Sequence, residues 1–169
     1  DFPHKLAIKE QKVLLNFTVS NFRSFRDEQV FSLVASSAVR SRHSRYLIET
    51  GVRNVPDALP VAVIFGPNAS GKSNLTYAFL CLRYLVCESR RRNPDDSLQF
   101  DHYKLGENYN KEPSKFEIVF CHKGTKWEYV ISANDERITE EYLYSREHKP
   151  GKRNRCVFER SWNQEKKDY

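Results

Sequence analysis

The chain has 169 residues, enough for one sizeable core, and its 39 % hydrophobic and 30 % charged content is that of a globular domain rather than a disordered or fibrous chain. No apolar stretch reaches the length a bilayer-spanning helix needs, and residues 1–12 are polar and mixed in charge instead of a secretory pattern, so a cytoplasmic location is expected. The formal net charge of +6 and pI of about 9.1 admit an acidic partner such as DNA without requiring one.

With no Met in the chain, residues 1–12 read as an appended leader, and residues 13–169 as the folded portion. Residues 13–20 alternate, with Leu15, Phe17 and Val19 on one face and Asn16, Thr18 and Ser20 on the other, which predicts a half-buried strand. Asn21-Phe22-Arg23-Ser24-Phe25-Arg26-Asp27 follows as a turn, and residues 29–35 as a second strand, giving a hairpin. Residues 36–60 are polar, basic and interrupted by Gly51, Pro56 and Pro60. They predict a loop, with a short helix or strand near Tyr46-Leu47-Ile48.

The next segment is the most informative. Val61-Ala62-Val63-Ile64-Phe65 is a continuous apolar run, the pattern of a strand buried on both faces. Gly66-Pro67-Asn68-Ala69-Ser70-Gly71-Lys72-Ser73 then matches G-x-x-x-x-G-K-[ST] in full. Glycines let the backbone turn so that several N–H groups aim at one anion. The N-terminus of a following helix adds its partial positive charge. In this pattern the lysine, here Lys72, reaches the β- and γ-phosphates and is the candidate catalytic residue, while the Ser73 hydroxyl is the candidate Mg²⁺ ligand. Leu75, Ala78, Phe79, Leu82, Leu85 and Val86 recur at helical spacing and predict that helix to about residue 89.

Residues 90–97 form a charged linker containing Pro94. The period then changes to two. Phe116, Ile118 and Phe120 alternate in one run, and Trp127, Tyr129 and Ile131 in another. The turn His122-Lys123-Gly124-Thr125 lies between, which predicts an antiparallel hairpin. Residues 137–145 continue the meander, Pro150-Gly151 turns the chain, and residues 156–160 form one more strand. The four cysteines show no paired spacing and read as reduced core residues.

Basic residues gather in three places: Arg40, Arg42 and Arg45; Arg90-Arg91-Arg92; and the tail from Tyr144 to Tyr169, where eight Lys/Arg stand against four acids. With Trp127, Tyr129, Tyr142 and Tyr144 as stacking groups, they support an alternative reading, a nucleic-acid-binding module with a vestigial phosphate loop. The opposing reading is core aromatics and solvated basic loops. A P-loop kinase or GTPase is disfavoured, because no Asn-Lys-x-Asp motif and no further strand–helix units follow.

The segments VSNFRSFRDEQVFSL and VIFGPNASGKSNL together resemble the start of the SMC/RecF-like ABC ATPases, and more closely the AAA15/OLD-like bacterial defence ATPases. FEIVF, KWEYVIS, ITEEYLYS and VFER resemble that group's hairpin region. The resemblance implies an α/β fold, the N-terminal lobe of an ABC-type ATPase head with antiparallel strands around a P-loop strand–helix unit. It implies ATP and Mg²⁺ as cofactors, held by Gly66, Pro67, Asn68, Ala69, Ser70, Gly71, Lys72, Ser73 and Asn74. It places Asn21, Arg23 and Ser24 near the nucleotide, with Arg23 either on a phosphate or a solvated turn residue. Phe22 and Phe25 are read as core residues before base-stacking ones. By the same resemblance, ATP-driven dimerisation of heads would control DNA engagement or an effector nuclease. No apolar run ending in Asp-Glu, no signature motif and no switch histidine is found, and Gln99 is the weak match for a Mg²⁺-sensing glutamine. The chain is therefore expected to be one lobe of a longer ATPase, deficient in hydrolysis by itself.

Overall fold

The computed structural model describes residues 12–88, 98, 101–106, 112–146, 155–166 and 168–169. The leader at 1–11, the linker with Arg90-Arg91-Arg92 and Pro94, Gln99, and the Pro150-Gly151 turn lie outside the described residues.

Six antiparallel strands form one sheet in the order β2-β1-β3-β4-β5-β6. They are β1 (Lys12–Ser20), β2 (Gln29–Ser32), β3 (Ser114–His122), β4 (Thr125–Ala133), β5 (Ile138–Arg146) and β6 (Arg155–Ser161). Two helices accompany them, α1 (Ser37–His43) and α2 (Lys72–Cys87). The predicted hairpins and meander are present. The mixed α/β composition holds as well, with the sheet wholly antiparallel among the described residues.

β1 departs from the simple alternation. Its pairing with β3 shifts between Leu14 and Asn16, so Val13 pairs with Cys121 while Phe17 pairs with Ile118. A bulge of this kind reverses which face the odd-numbered residues occupy. Leu15 therefore does not share a face with Phe17 and Val19. Val13 and Leu15 join Val119 and Cys121 in one buried cluster, and Phe17 and Val19 join Phe116 and Ile131 in another.

α2 covers the second cluster. Ala78, Leu82 and Leu85 are buried against the sheet, and the Phe79 ring stacks on Phe17 with centroids 3.9 Å apart. Burying a side chain of this size stabilises by about 1.5–3 kcal/mol. Val86, expected on the same apolar stripe, is 52 % exposed, because the stripe that meets the sheet ends at Leu85. Phe22 is buried in this cluster and Phe25 packs against it, in line with their reading as core residues.

The opposite face of β1 and β3 is covered by the connection between β2 and the phosphate loop. Val52 and Ala58 sit in the cluster with Val13 and Leu15. Backbone bonds fasten this connection: Ala58 and Ile48 exchange N–H···O contacts of 2.9 and 3.0 Å, and Leu59 N–H donates to the Leu33 carbonyl at 2.7 Å. Within it, α1 is capped by the Ser36 hydroxyl, which accepts from the Val39 N–H at 3.4 Å, and a 3-10 turn covers Ser44–Tyr46. Residues 36–60 thus hold more helix than their composition suggests.

The buried strand expected at residues 61–65 is not formed. The run has no regular structure and no ladder partner among the described residues, and Val61, Val63 and Phe65 are 68 %, 68 % and 87 % exposed. The apolar pattern supplies strand propensity, but a strand needs a neighbouring ladder to accept its N–H and C=O groups. None of the six strands lies alongside it.

Candidate phosphate-binding site

The loop following residue 65 is shaped by two glycines. Gly71 has φ +91°, and a Cβ there would lie 3.1 Å from Ser24 Oγ and 3.4 Å from the Phe25 ring. A Cβ on Gly66 would lie 2.8 Å from Ser70 Oγ. Only glycine fits these two positions without displacing a neighbour. Ala69 also takes a left-handed conformation at φ +63°, which costs a non-glycine residue about 1 kcal/mol or more. Pro67, Asn68 and Ala69 form the exposed tip, closed by Ser70 N–H donating to the Pro67 carbonyl at 3.4 Å.

α2 starts directly from this loop. Gly71 caps it with no side-chain hydrogen bond, and no acidic residue occupies its first turn. The positive end of a 16-residue helix is therefore not neutralised from within, which suits an anion. Lys72 is the first residue of the helix and Ser73 stands exposed beside it. The Lys72 ammonium folds back over the loop and donates to the carbonyls of Gly66 at 2.7 Å and Pro67 at 2.6 Å, with Ser70 Oγ at 3.4 Å. Among the described residues no carboxylate lies within ion-pair distance of it. A flexible cation held by neutral carbonyls, in a cradle that two glycines keep open, fits a polyphosphate.

The cradle opens into a cleft of about 430 Å³. Gly66, Pro67, Ser70, Gly71 and Lys72 line one side, and Phe25, Gln29, Val30 and Phe31 of the β1–β2 hairpin the other, with Ile64 and Phe65 at the margin. Gln29, Val30 and Phe31 carry no motif in the sequence. Only the antiparallel pairing of β2 with β1 brings them to the loop.

The turn after β1 meets the start of α2. Asn74 Nδ2 donates to Ser24 Oγ at 2.8 Å, so Ser24, Gly71 and Asn74 are brought together as one contact. Arg23, at φ +51°, points along the flank of α2 and does not line the cleft. Its guanidinium stacks 3.9 Å from the Tyr77 ring centroid and donates to Asp101 at 2.7 Å, while its backbone N–H donates to the Asp101 carbonyl at 2.6 Å. Its Nε is buried without a hydrogen-bond partner. Tyr77 and Asp101 were not singled out from the sequence. Tyr77 looks like one more helix surface residue there, and Asp101 lies 78 residues from Arg23.

Asn21 is directed elsewhere. Its side chain donates to the Glu112 carbonyl at 2.8 Å and accepts from the Tyr103 N–H at 3.3 Å. It belongs to a buried network in which Ser114 Oγ donates to the Asn21 carbonyl at 2.6 Å and contacts His102 Nδ1 at 3.0 Å, with His102 Nε2 3.2 Å from Asp135. That network ties His102 and Tyr103 to the turn and to the β4–β5 connection. Nearby, burial pushes the Cys81 thiol up to about 12, with the Asp101 charge adding to it, so Cys81 is an inert packing residue.

Residues 61–169 match the model of the family described as "AAA domain, putative AbiEii toxin, Type IV TA system". The chain belongs to this family. The match begins at the apolar run before the loop, covers well over half of the chain and supports a P-loop ATPase family. No curated protein matches the chain.

The aromatics offered as nucleic-acid stacking groups do not form one platform in this AAA domain. Trp127 and Tyr129 lie on the α2 side of the sheet, where Tyr129 packs against the core and donates to Glu141 at 2.6 Å. Tyr142 and Tyr144 lie on the other side beside Glu128 and Glu159. The Tyr144 hydroxyl donates to Glu159 at 2.9 Å, which pushes its ionisation up to about 12. Among the described residues no helix is long and apolar enough to cross a membrane.

Proposed function

We propose that this chain is the nucleotide-binding lobe of an ATPase, with ATP held on the loop from Gly66 to Asn74. The observation that carries the reading is the Lys72 ammonium closed onto the Gly66 and Pro67 carbonyls, 2.7 and 2.6 Å away, at an uncapped helix N-terminus. Lys72 and the backbone N–H groups of the loop would hold the phosphates, and Ser73 would contribute its hydroxyl to Mg²⁺. When bound, ATP supplies the phosphoanhydride bond and Mg²⁺ offsets its charge. The hairpin residues Gln29, Val30 and Phe31 would border the base-and-ribose end of the cleft. Arg23, stacked on Tyr77, would stand ready beside the first turn of α2 for a nucleotide or for a second head.

The wider role follows the resemblance to AAA15/OLD-like ABC-type heads and the toxin description of the matched family. In that reading two heads sandwich ATP as a homodimer in the cytoplasm, and hydrolysis controls a nuclease or other DNA-directed effector in defence against phage. The unpaired run at residues 61–65 fits a lobe whose strand is completed by the other lobe of the head.

The test is titration calorimetry of Mg²⁺-ATP on the chain and on Lys72→Ala, followed by phosphate release on the same samples. Binding that disappears in Lys72→Ala, with little hydrolysis by either, is expected. Equal affinity in the two would remove the assignment of the loop. Rapid hydrolysis by the wild-type chain would overturn the view of an incomplete head.

A further inference from the structure

The sheet gathers basic residues at the end opposite the phosphate loop. They are scattered in sequence and meet only through strand register. Lys12 pairs with His122, which pairs across the β3–β4 turn with Thr125. Lys126 pairs with Arg146, and Ser145 beside it pairs with Arg155. Lys123 caps the β3–β4 turn. Arg53 lies on the turn that abuts it, since a Cβ on Gly124 would lie 3.9 Å from the Gly51 carbonyl oxygen. With strands about 4.8 Å apart, this end of the sheet is about 19 Å wide from β1 to β6.

The cations of the row are little neutralised. Lys12, Arg53, Lys123, Arg146 and Arg155 are exposed and Lys126 is half-buried. Arg146 reaches Glu128 at 3.5 Å, and among the described residues none of the other five has a carboxylate within ion-pair distance. Among the described residues the turns at this end bear no exposed large apolar side chain that could anchor in lipid. The apolar groove between α2 and β5–β6 has nothing on it to say what covers it, and in the Ser114–His102–Asp135 network Ser114 and His102 are buried while Asp135 is exposed and held to His102.

We infer that this row is an interface for the phosphate backbone of duplex nucleic acid, bound without sequence preference. A line of Lys and Arg side chains about 19 Å long, of which Arg146 is paired with Glu128, suits a polymer that presents phosphates at regular spacing. The nine residues of β1 rise about 3.3 Å each, which places the row about 26 Å from the turn that touches Gly71. The two sites are therefore separate, and the inference stands whether or not the loop binds ATP.

The experiment is fluorescence anisotropy with a labelled duplex of about two helical turns, in salt from about 50 to 200 mM. The chain is compared with a fourfold variant, Arg53→Ala, Lys123→Asn, Lys126→Ala and Arg155→Ala. Asn tolerates the left-handed backbone at position 123, where φ is +51°. Each phosphate contact adds about 0.9 to the slope of log affinity against log salt, so the variant should lose about 3–4 from that slope and bind at least about tenfold more weakly at the low-salt end. Its unfolding temperature and Mg²⁺-ATP affinity should match those of the parent. If the fourfold variant does not fold, the two pairs (Arg53→Ala with Lys123→Asn, and Lys126→Ala with Arg155→Ala) should each lose about 2. Absence of duplex binding by the parent, or an unchanged slope in the variants, would overturn the inference. So would tighter binding to phosphatidylserine vesicles than to the duplex, which would make the row a membrane contact.

Discussion

β1 and the run at residues 61–65 carry similar sequences and meet different fates. Both are rich in β-branched and aromatic residues. β1 has β2 on one side and β3 on the other, and its Phe17 and Val19 are fully buried. Among the described residues, residues 61–65 have no ladder on either side, and Phe65 is 87 % exposed. The difference shows that apolar pattern decides what a segment can become, while lateral partners decide whether it does. It also divides the molecule into a packed sheet with α2 on it and an open phosphate loop approached by an unsupported stretch of chain.

Removing a ring from each region gives the largest expected contrast. Phe17→Ala deletes a fully buried ring stacked on Phe79 and should cost about 3–5 kcal/mol in urea denaturation. Phe65→Ser should change stability by less than about 0.5 kcal/mol in this chain, because the ring has little contact to lose. Comparable losses from the two would mean that residues 61–65 are packed in solution. Added to a complete head, the same Phe65→Ser change should become costly.

Gly71 is the hinge between the two regions, since the β1–β2 turn packs on it through Ser24 and Phe25. Gly71→Ala puts a Cβ 3.1 Å from Ser24 Oγ at φ +91°, and should cost about 1–3 kcal/mol. It should also weaken Mg²⁺-ATP binding by pushing the turn away from the loop. A variant with unchanged stability and affinity would show that turn and loop are independent.

Much of this was legible in the sequence, for reasons that differ by region. The β3–β4 hairpin was readable because Phe116, Ile118, Tyr129 and Ile131 alternate and Lys123-Gly124 supplies a turn with two positive φ values. The tight loop from Gly66 to Gly71 was readable because its glycines have a local steric job. The bulge at Leu14–Asn16 was not, since a one-residue slip leaves no mark in an alternating pattern. Nor was the Arg23–Asp101 pair, which joins residues 78 apart in the chain. The exposure of residues 61–65 was misread because propensity is local and pairing is not.

That Arg23–Asp101 pair gives the next smaller effect. The two side chains are 30 % and 48 % exposed, so solvent and salt weaken their attraction, and Asp101→Asn should cost no more than about 1 kcal/mol. The effect should shrink further when salt is raised to about 1 M, where the screening length falls to about 3 Å. A larger, salt-independent loss would mean that the close side-chain hydrogen bond from Arg23 to Asp101, and not the screened attraction of the two charges, carries the stability.

The smallest effect is expected on the far side of the sheet, at Glu117, and its sign follows from linkage. Burial pushes the Glu117 carboxyl above its ordinary value, with the Glu128 charge and more distantly Glu28 adding to it, while Lys115 and Lys126 oppose. A carboxyl whose value is raised on folding favours the folded state while protonated. That contribution is complete below the ordinary glutamate range and is lost as pH rises through the raised value. Glu117→Gln removes the penalty of the buried charge, so the variant should gain on the parent as pH goes from about 4 to about 7. The readout is the difference in urea midpoint at the two pH values. A gap that stays flat, or that favours the parent at neutral pH, would show that Lys115 and Lys126 outweigh the burial. Glu117 would then be a stabilising member of that face.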